Sequence, residues 1–144
     1  MRVAVLDAPY NIRLAKAKIP EPGPDEVRVK IKYVGICGSD VETYRGIRSP
    51  EFVAFPTRLG HEVAGIIDKI GKNVIGLKQG DHVCLRYVWG AFAEYIVCKP
   101  FNIQVIPPSI PLLESSLIEI LPGVIHTAEL GKIGPDKNVL ILGQ

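Results

Sequence analysis

Alternation of apolar and polar residues is the clearest pattern along this chain. From Val27 to Tyr33 every second residue is apolar and the residues between them are basic. This period of two predicts a strand over Glu26–Val34 with one solvated face. Shorter patterns predict six further strands: Arg2–Leu6, Ile12–Ala17, Val63–Ile70, His82–Tyr87, Phe92–Cys98 and Ile103–Ile106. Gly and Pro residues mark turns between these segments, and many short strands at this spacing predict an antiparallel barrel or sandwich.

The pattern becomes helical after Pro107-Pro108. Leu112–Leu130 has helix-like spacing, and Pro122-Gly123 interrupts it, so we predict two short helices. Four apolar residues share the predicted face: Leu113, Leu117, Ile120 and Leu121. A loop is predicted over 131–137. The short apolar run at 138–143 ends in glycine, which is typical of a buried parallel strand.

Composition restricts the class of protein. The chain has 144 residues, 47% of them hydrophobic, which suits one soluble domain, or one domain and a fragment. A net charge of +2 gives no reason to expect nucleic acid or an anionic membrane as a partner. No apolar run approaches the roughly 18–20 residues of a spanning helix, and the first residues do not resemble a secretory signal. Three cysteines are too few for a disulfide framework and favour a reducing, cytoplasmic location.

Two short segments contain residues suited to metal chemistry. Cys37 has glycine close on both sides, which indicates a turn that exposes the thiol; a small buried hydrophobic residue is the alternative. His61 and Glu62 are adjacent, and neighbours on a regular strand point to opposite faces. Both reach one metal only if the backbone turns, which Gly60 allows. A surface pair of His and Glu is the alternative.

Cys37, His61 and a carboxylate together suit a catalytic zinc ion, which takes about three protein ligands and keeps one position open. A structural zinc would need a closed set of four ligands, and the sequence contains no C-x-x-C. Asp40 is a candidate to hydrogen-bond the second nitrogen of His61. Ser39 is a candidate to pass a proton from an oxygen held at the metal.

Four motifs occur in order along the chain: Y-V-G-I-C-G-S-D at Tyr33–Asp40, L-G-H-E-V-A-G at Leu59–Gly65, K-Q-G-D-H-V at Lys78–Val83 and G-A-F-A-E-Y at Gly90–Tyr95. Together they resemble the N-terminal GroES-like catalytic domain of the zinc-dependent medium-chain alcohol and polyol dehydrogenases. The resemblance covers nearly the whole chain and implies a mainly β fold, a partly open GroES-like barrel with short helices.

The resemblance also implies roles for individual residues. Cys37 and His61 match the catalytic zinc ligands of that family, and Glu62 matches a carboxylate that binds the zinc directly or exchanges with water. Glu119, in a segment similar to the linker of the sorbitol and threonine dehydrogenases, matches a further carboxylate that approaches the metal. Ser39 matches the hydroxyl that hands the substrate proton toward solvent.

Asp40 matches the residue that supports the histidine ligand.

Where many relatives carry a four-cysteine zinc lobe, this chain has only residues 84–89 between two of the motifs. We therefore predict no structural zinc. Cys84 and Cys98 are expected to be core thiols, with a cross-strand pair as the less favoured alternative.

The resemblance divides the chain into a GroES-like catalytic domain over 1–110 and a segment over 111–144. The second segment is expected to hold linker helices and the first strand of a nucleotide-binding domain that is otherwise missing. Because a nicotinamide cofactor, NAD or NADP, would be held by that domain, we expect no hydride transfer by this chain alone.

Two functions follow from these expectations. The first is the zinc-binding catalytic portion of an alcohol or polyol dehydrogenase acting on a small alcohol. It would work with a separate nucleotide-binding chain or as a homodimer, because an apolar edge without its sheet neighbours favours pairing. The alternative is a free-standing GroES-like binding or interaction module without catalytic activity.

Overall fold

Seven strands carry most of the regular structure in residues 1–49 and 51–142, the part of the chain that this computed structural model describes. The strands are β1 (Arg2–Ala8), β2 (Asn11–Lys16), β3 (Val27–Gly35), β4 (Glu62–Ile70), β5 (His82–Leu85), β6 (Tyr95–Cys98) and β7 (Ile103–Val105). The helices are α1 (Gly38–Tyr44), α2 (Leu112–Ser115) and α3 (Leu121–Leu130), with short 3-10 helices at Pro100–Asn102 and Ser116–Ile118.

The strands form two antiparallel sheets. β1 and β2 make a hairpin, and the other five strands form one sheet in the order β6-β3-β4-β5-β7. Within the described residues the edge strands β6 and β7 do not pair with each other, so the larger sheet stays open. The expectation of a mainly β, partly open structure is confirmed.

The centre of the larger sheet is built on the alternating strand that the sequence predicts. Val27 and Val29 of β3 are fully buried, as are Val63 and Ile67 on the neighbouring strand β4. Residues from adjacent segments complete this core: Val83, Leu85, Val88, Ala91 and Cys98. The core fixes β3 against β4, and the metal-ligand candidates lie where these two strands end and begin.

The hairpin β1–β2 is attached to the rest of the protein through β1. Leu6 is fully buried and exchanges two backbone hydrogen bonds with Thr57, of 2.8 and 2.9 Å. Val3 forms an isolated bridge with Ala93. This attachment shortens a predicted strand, Phe92–Cys98. The Phe92 carbonyl accepts the N–H of Ala4 at 2.8 Å, so pairing with β3 begins only later, in β6.

The helical part of the C-terminal third differs from the sequence prediction in two respects. Pro122 lies in the first turn of α3 rather than between two helices, because a proline there loses no hydrogen bond. The predicted apolar face is exposed: Leu113, Leu117, Ile120 and Leu121 are each at least 41% accessible, and α3 has no buried residue.

None of the helices in the described ranges is long and apolar enough to cross a membrane.

The parallel strand predicted over 138–143 is not formed in the described part of that segment. Residues 138–142 have no strand pairing, and Val139 to Leu142 are 51–84% exposed. A parallel strand requires neighbours on which to form its ladder, and no described residue offers one. Gly143, the last residue of that prediction, lies outside the described residues.

Candidate metal centre

The antiparallel register of β3 and β4 brings the two metal-ligand segments together. Gly35, the last residue of β3, pairs with Glu62, the first residue of β4. Cys37 follows the end of one strand and His61 precedes the start of the other. The candidate ligand atoms of Cys37, His61 and Glu62 all lie within 4.8 Å of one another. Cys37 therefore forms one cluster with two residues that lie more than 20 positions further along the chain.

Two glycines make room for this cluster. Gly60 has a φ of +92°, and a Cβ there would come within 2.9 Å of the backbone nitrogen of Phe92. The backbone therefore turns at Gly60, as the sequence suggested, and His61 and Glu62 can reach the same point. At Gly35, a Cβ would overlap Glu62 Oε2 and approach Glu62 Cβ to 3.0 Å.

Helix α1, which was not predicted from the sequence, places Cys37 and Asp40. Cys37 is the residue before the first helical turn, and its N–H donates to Asp40 Oδ2 at 3.1 Å. This is the return bond of a capping box, formed by an acidic residue at the third helical position. The spacing C-x-x-D was the available signal for this helix start.

Asp40 connects the two ligand-bearing segments through its carboxylate. The other carboxylate oxygen, Oδ1, accepts the N–H of Gly60 at 2.9 Å, and Asp40 is 2% exposed. The distance from Oδ1 to His61 Nδ1 is 3.6 Å, longer than a hydrogen bond. Asp40 thus holds both ligand-bearing loops by their backbones and lies beside the His61 ring.

His61 and Ser39 each bring a buried polar atom without a partner. Ser39 Oγ and His61 Nδ1 are inaccessible and have no hydrogen-bond partner within the described residues. The His61 ring also packs against Trp89, with ring centroids 4.4 Å apart. Buried polar atoms are normally satisfied, so these two indicate that a further group completes the site.

One of the metal-ligand candidates predicted from the sequence does not lie in the Cys37–His61–Glu62 cluster. Glu119 is half-buried just after the 3-10 helix Ser116–Ile118 and is not among the three clustered residues. Burial mainly raises the pKa of the Cys84 thiol, and the negative charge of Glu119 adds to this rise. Burial also raises the pKa of Cys98 to about 12. Cys84 and Cys98 are buried free thiols, as expected.

Aromatic side chains line two separate cavities of the molecule. Phe52 and Trp89 line one cavity, together with Arg48 and Arg58, whereas Tyr44 lines another with Ile12 and Phe92. No sequence pattern indicated the two arginines, because they lie in an irregular segment whose path depends on contacts distant in sequence.

The fold and the site define a class of protein: a β-sheet domain in which a thiol, an imidazole and a carboxylate lie close together. The family description "Alcohol dehydrogenase GroES-like domain" matches residues 23–108, well over half of the chain. The chain belongs to this family of alcohol dehydrogenase GroES-like domains. The resemblance of the sequence to the N-terminal catalytic domain of the zinc-dependent alcohol and polyol dehydrogenases is thereby confirmed.

Individual relatives agree with this assignment. Sorbitol dehydrogenase from Arabidopsis thaliana is 33% identical over 92% of this chain and 44% of its own length. The crystal structure of galactitol-1-phosphate dehydrogenase from Escherichia coli is similar with a TM-score of 0.83 and 31% identity, covering 92% of this chain and 45% of that one. A short chain alcohol dehydrogenase from E. coli CFT073, complexed with NADH, has a TM-score of 0.80 at 28% identity, covering 92% and 46%. The chain spans about half the length of the relatives it matches.

The residues present fit a zinc ion. Thiolate, imidazole and carboxylate are the three usual protein ligands of zinc, and three of them leave one coordination position for another molecule. The Ser39 hydroxyl lies two residues after Cys37, is buried and has no partner within the described residues. The three clustered side chains can together hold a cation.

Proposed function

We propose that this chain binds one zinc ion through Cys37, His61 and Glu62 and supplies the metal and proton-transfer part of an alcohol or polyol dehydrogenation. The observation that carries the proposal is the separation of at most 4.8 Å between the three candidate ligand atoms. Glu119 is proposed as a further carboxylate for the metal, supplied from the linker. The substrate class, a small alcohol or polyol, is supported by relatives that act on sorbitol and galactitol 1-phosphate.

The chain's own residues would prepare the alcohol for oxidation. Zinc, when bound, supplies Lewis-acid chemistry that lowers the pKa of an alcohol. Ser39 would relay the proton: its Oγ, which has no partner within the described residues, would accept the alcohol proton as its own hydroxyl proton passes to a water molecule. Asp40 would keep the two ligand loops at a fixed separation through its bonds to Cys37 and Gly60.

We also propose that these 144 residues do not transfer a hydride by themselves. The hydride must pass to a nicotinamide, which a nucleotide-binding fold holds next to the substrate. Such a fold starts with a parallel strand, a glycine-rich turn and a helix. The sheets in residues 1–49 and 51–142 are antiparallel throughout. In the relative solved with NADH, the matching part is 46% of that chain.

The partner that we propose is a nucleotide-binding unit docked on the exposed apolar face of the C-terminal third. Val124, Ile125 and Leu130 on α3 are 49–72% exposed, and exposed apolar side chains close together on one helix support a contact with a partner. Self-association through the same surface is the competing arrangement. Light scattering of the chain at high concentration decides between these two arrangements. A monomer would contradict the homodimer. A dimer would contradict the proposal that this surface is free for a nucleotide-binding unit.

Elemental analysis and a turnover assay test the proposed function. We expect close to one zinc per chain in untagged protein, none in Cys37→Ala, and one again in Cys98→Ala, whose buried thiol lies in the core. We expect no steady reduction of NAD or NADP with any alcohol. Absence of zinc after reconstitution at neutral pH would contradict the metal proposal and favour a binding module without catalytic activity. Steady turnover by the pure chain would contradict the second proposal.

A further inference from the structure

The cavity lined by Phe52 and Trp89 lies directly beside the metal cluster and is also lined by two arginines. It has a volume of about 220 Å³, and its lining includes Arg48, Arg58, Thr43 and Trp89. This is below the roughly 300–1,000 Å³ of pockets for drug-sized ligands, so it suits a single chemical group with a few attached atoms. Trp89 connects the cavity to the metal cluster, because its ring packs on His61 with 4.4 Å between centroids.

Arg58 is held in this cavity in a half-buried position. Its Nη2 donates to the carbonyl of Gly90 at 2.5 Å, which orients the guanidinium. Its Nε is buried and has no partner within the described residues. Burial lowers the pKa of Arg58, as expected for a charge that has lost water without gaining a counter-ion. A guanidinium in this state has free donors for an incoming acceptor.

Arg48 brings a second positive charge to the same cavity. Its guanidinium carbon lies 5.7 Å from the centre of the Trp89 ring, at the range of a cation–π contact. Within residues 1–49 and 51–142, neither Arg48 nor Arg58 forms an ion pair with a carboxylate, whereas Arg2, Arg13 and Arg28 all do. Two half-buried cations without a counter-ion around one small cavity attract an anion.

We propose that this cavity binds the phosphate group of a phosphorylated polyol whose hydroxyl end reaches the Cys37–His61–Glu62 cluster. Phosphate suits the two arginines because guanidinium groups bind its oxygens through paired N–H bonds. The inference rests on the proposed function for the identity of the reacting end of the substrate. The cavity itself requires no metal, so it can be tested separately.

Trp89 provides the measurement, because it is the only tryptophan in the chain and is 57% exposed at the cavity. Its fluorescence is followed while the Cys37→Ala chain is titrated with sorbitol 6-phosphate, with sorbitol, and with ADP-ribose. The Cys37→Ala background prevents phosphate from binding through a metal, so a failure of the zinc proposal does not affect this result. We expect sorbitol 6-phosphate to bind at least about tenfold more tightly than sorbitol, as charge-assisted hydrogen bonds imply.

Further variants of the Cys37→Ala chain test whether the two arginines bind the phosphate. Arg48→Gln and Arg58→Gln are each expected to weaken sorbitol 6-phosphate binding by about 10- to 100-fold. Arg45→Gln, on an exposed residue at the end of α1 outside the cavity lining, should leave it unchanged. Circular dichroism confirms that each variant is folded, and Arg48→Gln alone tests the proposal if Arg58→Gln does not fold.

Three results would overturn this inference. The first is equal binding of sorbitol and its phosphate. The second is tight binding of ADP-ribose alone, which would assign the cavity to a nucleotide. The third is an equal loss of affinity in Arg45→Gln and in the cavity variants. Loss of zinc binding in the parent chain, with phosphate binding intact, would instead contradict only the proposed metal function.

Discussion

Substituting alanine for Gly35 is expected to abolish stoichiometric zinc binding while the sheet stays folded. The new methyl group would overlap Glu62 Oε2 and approach Glu62 Cβ to 3.0 Å, and that Cβ is fixed to the backbone of β4. Glu62 must therefore turn away from Cys37 and His61. Disturbing residues that merely support metal ligands costs about 10- to 100-fold in affinity, so displacing a ligand should cost at least about 100-fold. Overpacking should also reduce the free energy of unfolding by about 1–3 kcal/mol.

Gly38→Ala is the matched control. A Cβ at Gly38 meets no atom within 4 Å, and Gly38 is the first residue of α1, where alanine is favourable. Zinc per chain is measured for both variants by elemental analysis, and stability is measured by urea unfolding. If Gly35→Ala retained a full equivalent of zinc with unchanged affinity, Glu62 would not be a ligand.

Asp40→Ala is expected to lower the free energy of unfolding by about 2–5 kcal/mol, because two backbone N–H groups lose their acceptor in a buried place. These are the N–H groups of Cys37 and Gly60, which Asp40 bonds at 3.1 and 2.9 Å. Since the two bonds tie the ligand loops together, zinc affinity should fall as well, by about 10- to 100-fold. Chemical denaturation and competition with a zinc-binding dye measure the two quantities.

Two further variants separate the hydrogen bonds from the helix itself. Asp40→Asn keeps one acceptor oxygen, so its loss of stability should lie between those of wild type and Asp40→Ala. Glu42→Ala changes an exposed carboxylate on the same helix and should change neither quantity. Equal stability of Asp40→Ala and Glu42→Ala would show that the buried carboxylate does not hold the loops.

The sequence predicted those parts of the fold that depend on local patterns. The alternation from Val27 to Tyr33 gave β3 nearly to its observed bounds, and the runs at Val63–Ile70 and Arg2–Leu6 gave β4 and β1. Boundaries were missed where distant contacts decide them. The strand expected to reach Tyr87 ends at Leu85, because Tyr87 has a φ of +56°, outside the strand region.

The site was predictable in its residue types but not in its connections. The motifs around Cys37, His61 and Glu62 indicated a metal cluster, and the structure brings these three residues together. The sequence pointed to Asp40 as a partner of the imidazole; its carboxylate accepts two backbone N–H groups, and its Oδ1 lies 3.6 Å from His61 Nδ1. Which donors a buried carboxylate accepts from depends on the three-dimensional path of both loops, and no local pattern records that path.

Helix α3, which has no buried residue, is expected to unfold locally more easily than the sheet. A ten-residue helix is shorter than the roughly 12–15 residues needed for even marginal stability in isolation. Packing therefore contributes little to keeping α3 wound, whereas the amides of β3 and β4 are protected by the core of the sheet. Amide hydrogens of α3 should exchange with solvent through local fraying, and those of the central strands only through global unfolding. A partner that covers α3 would slow the exchange of that helix far more than that of the sheet.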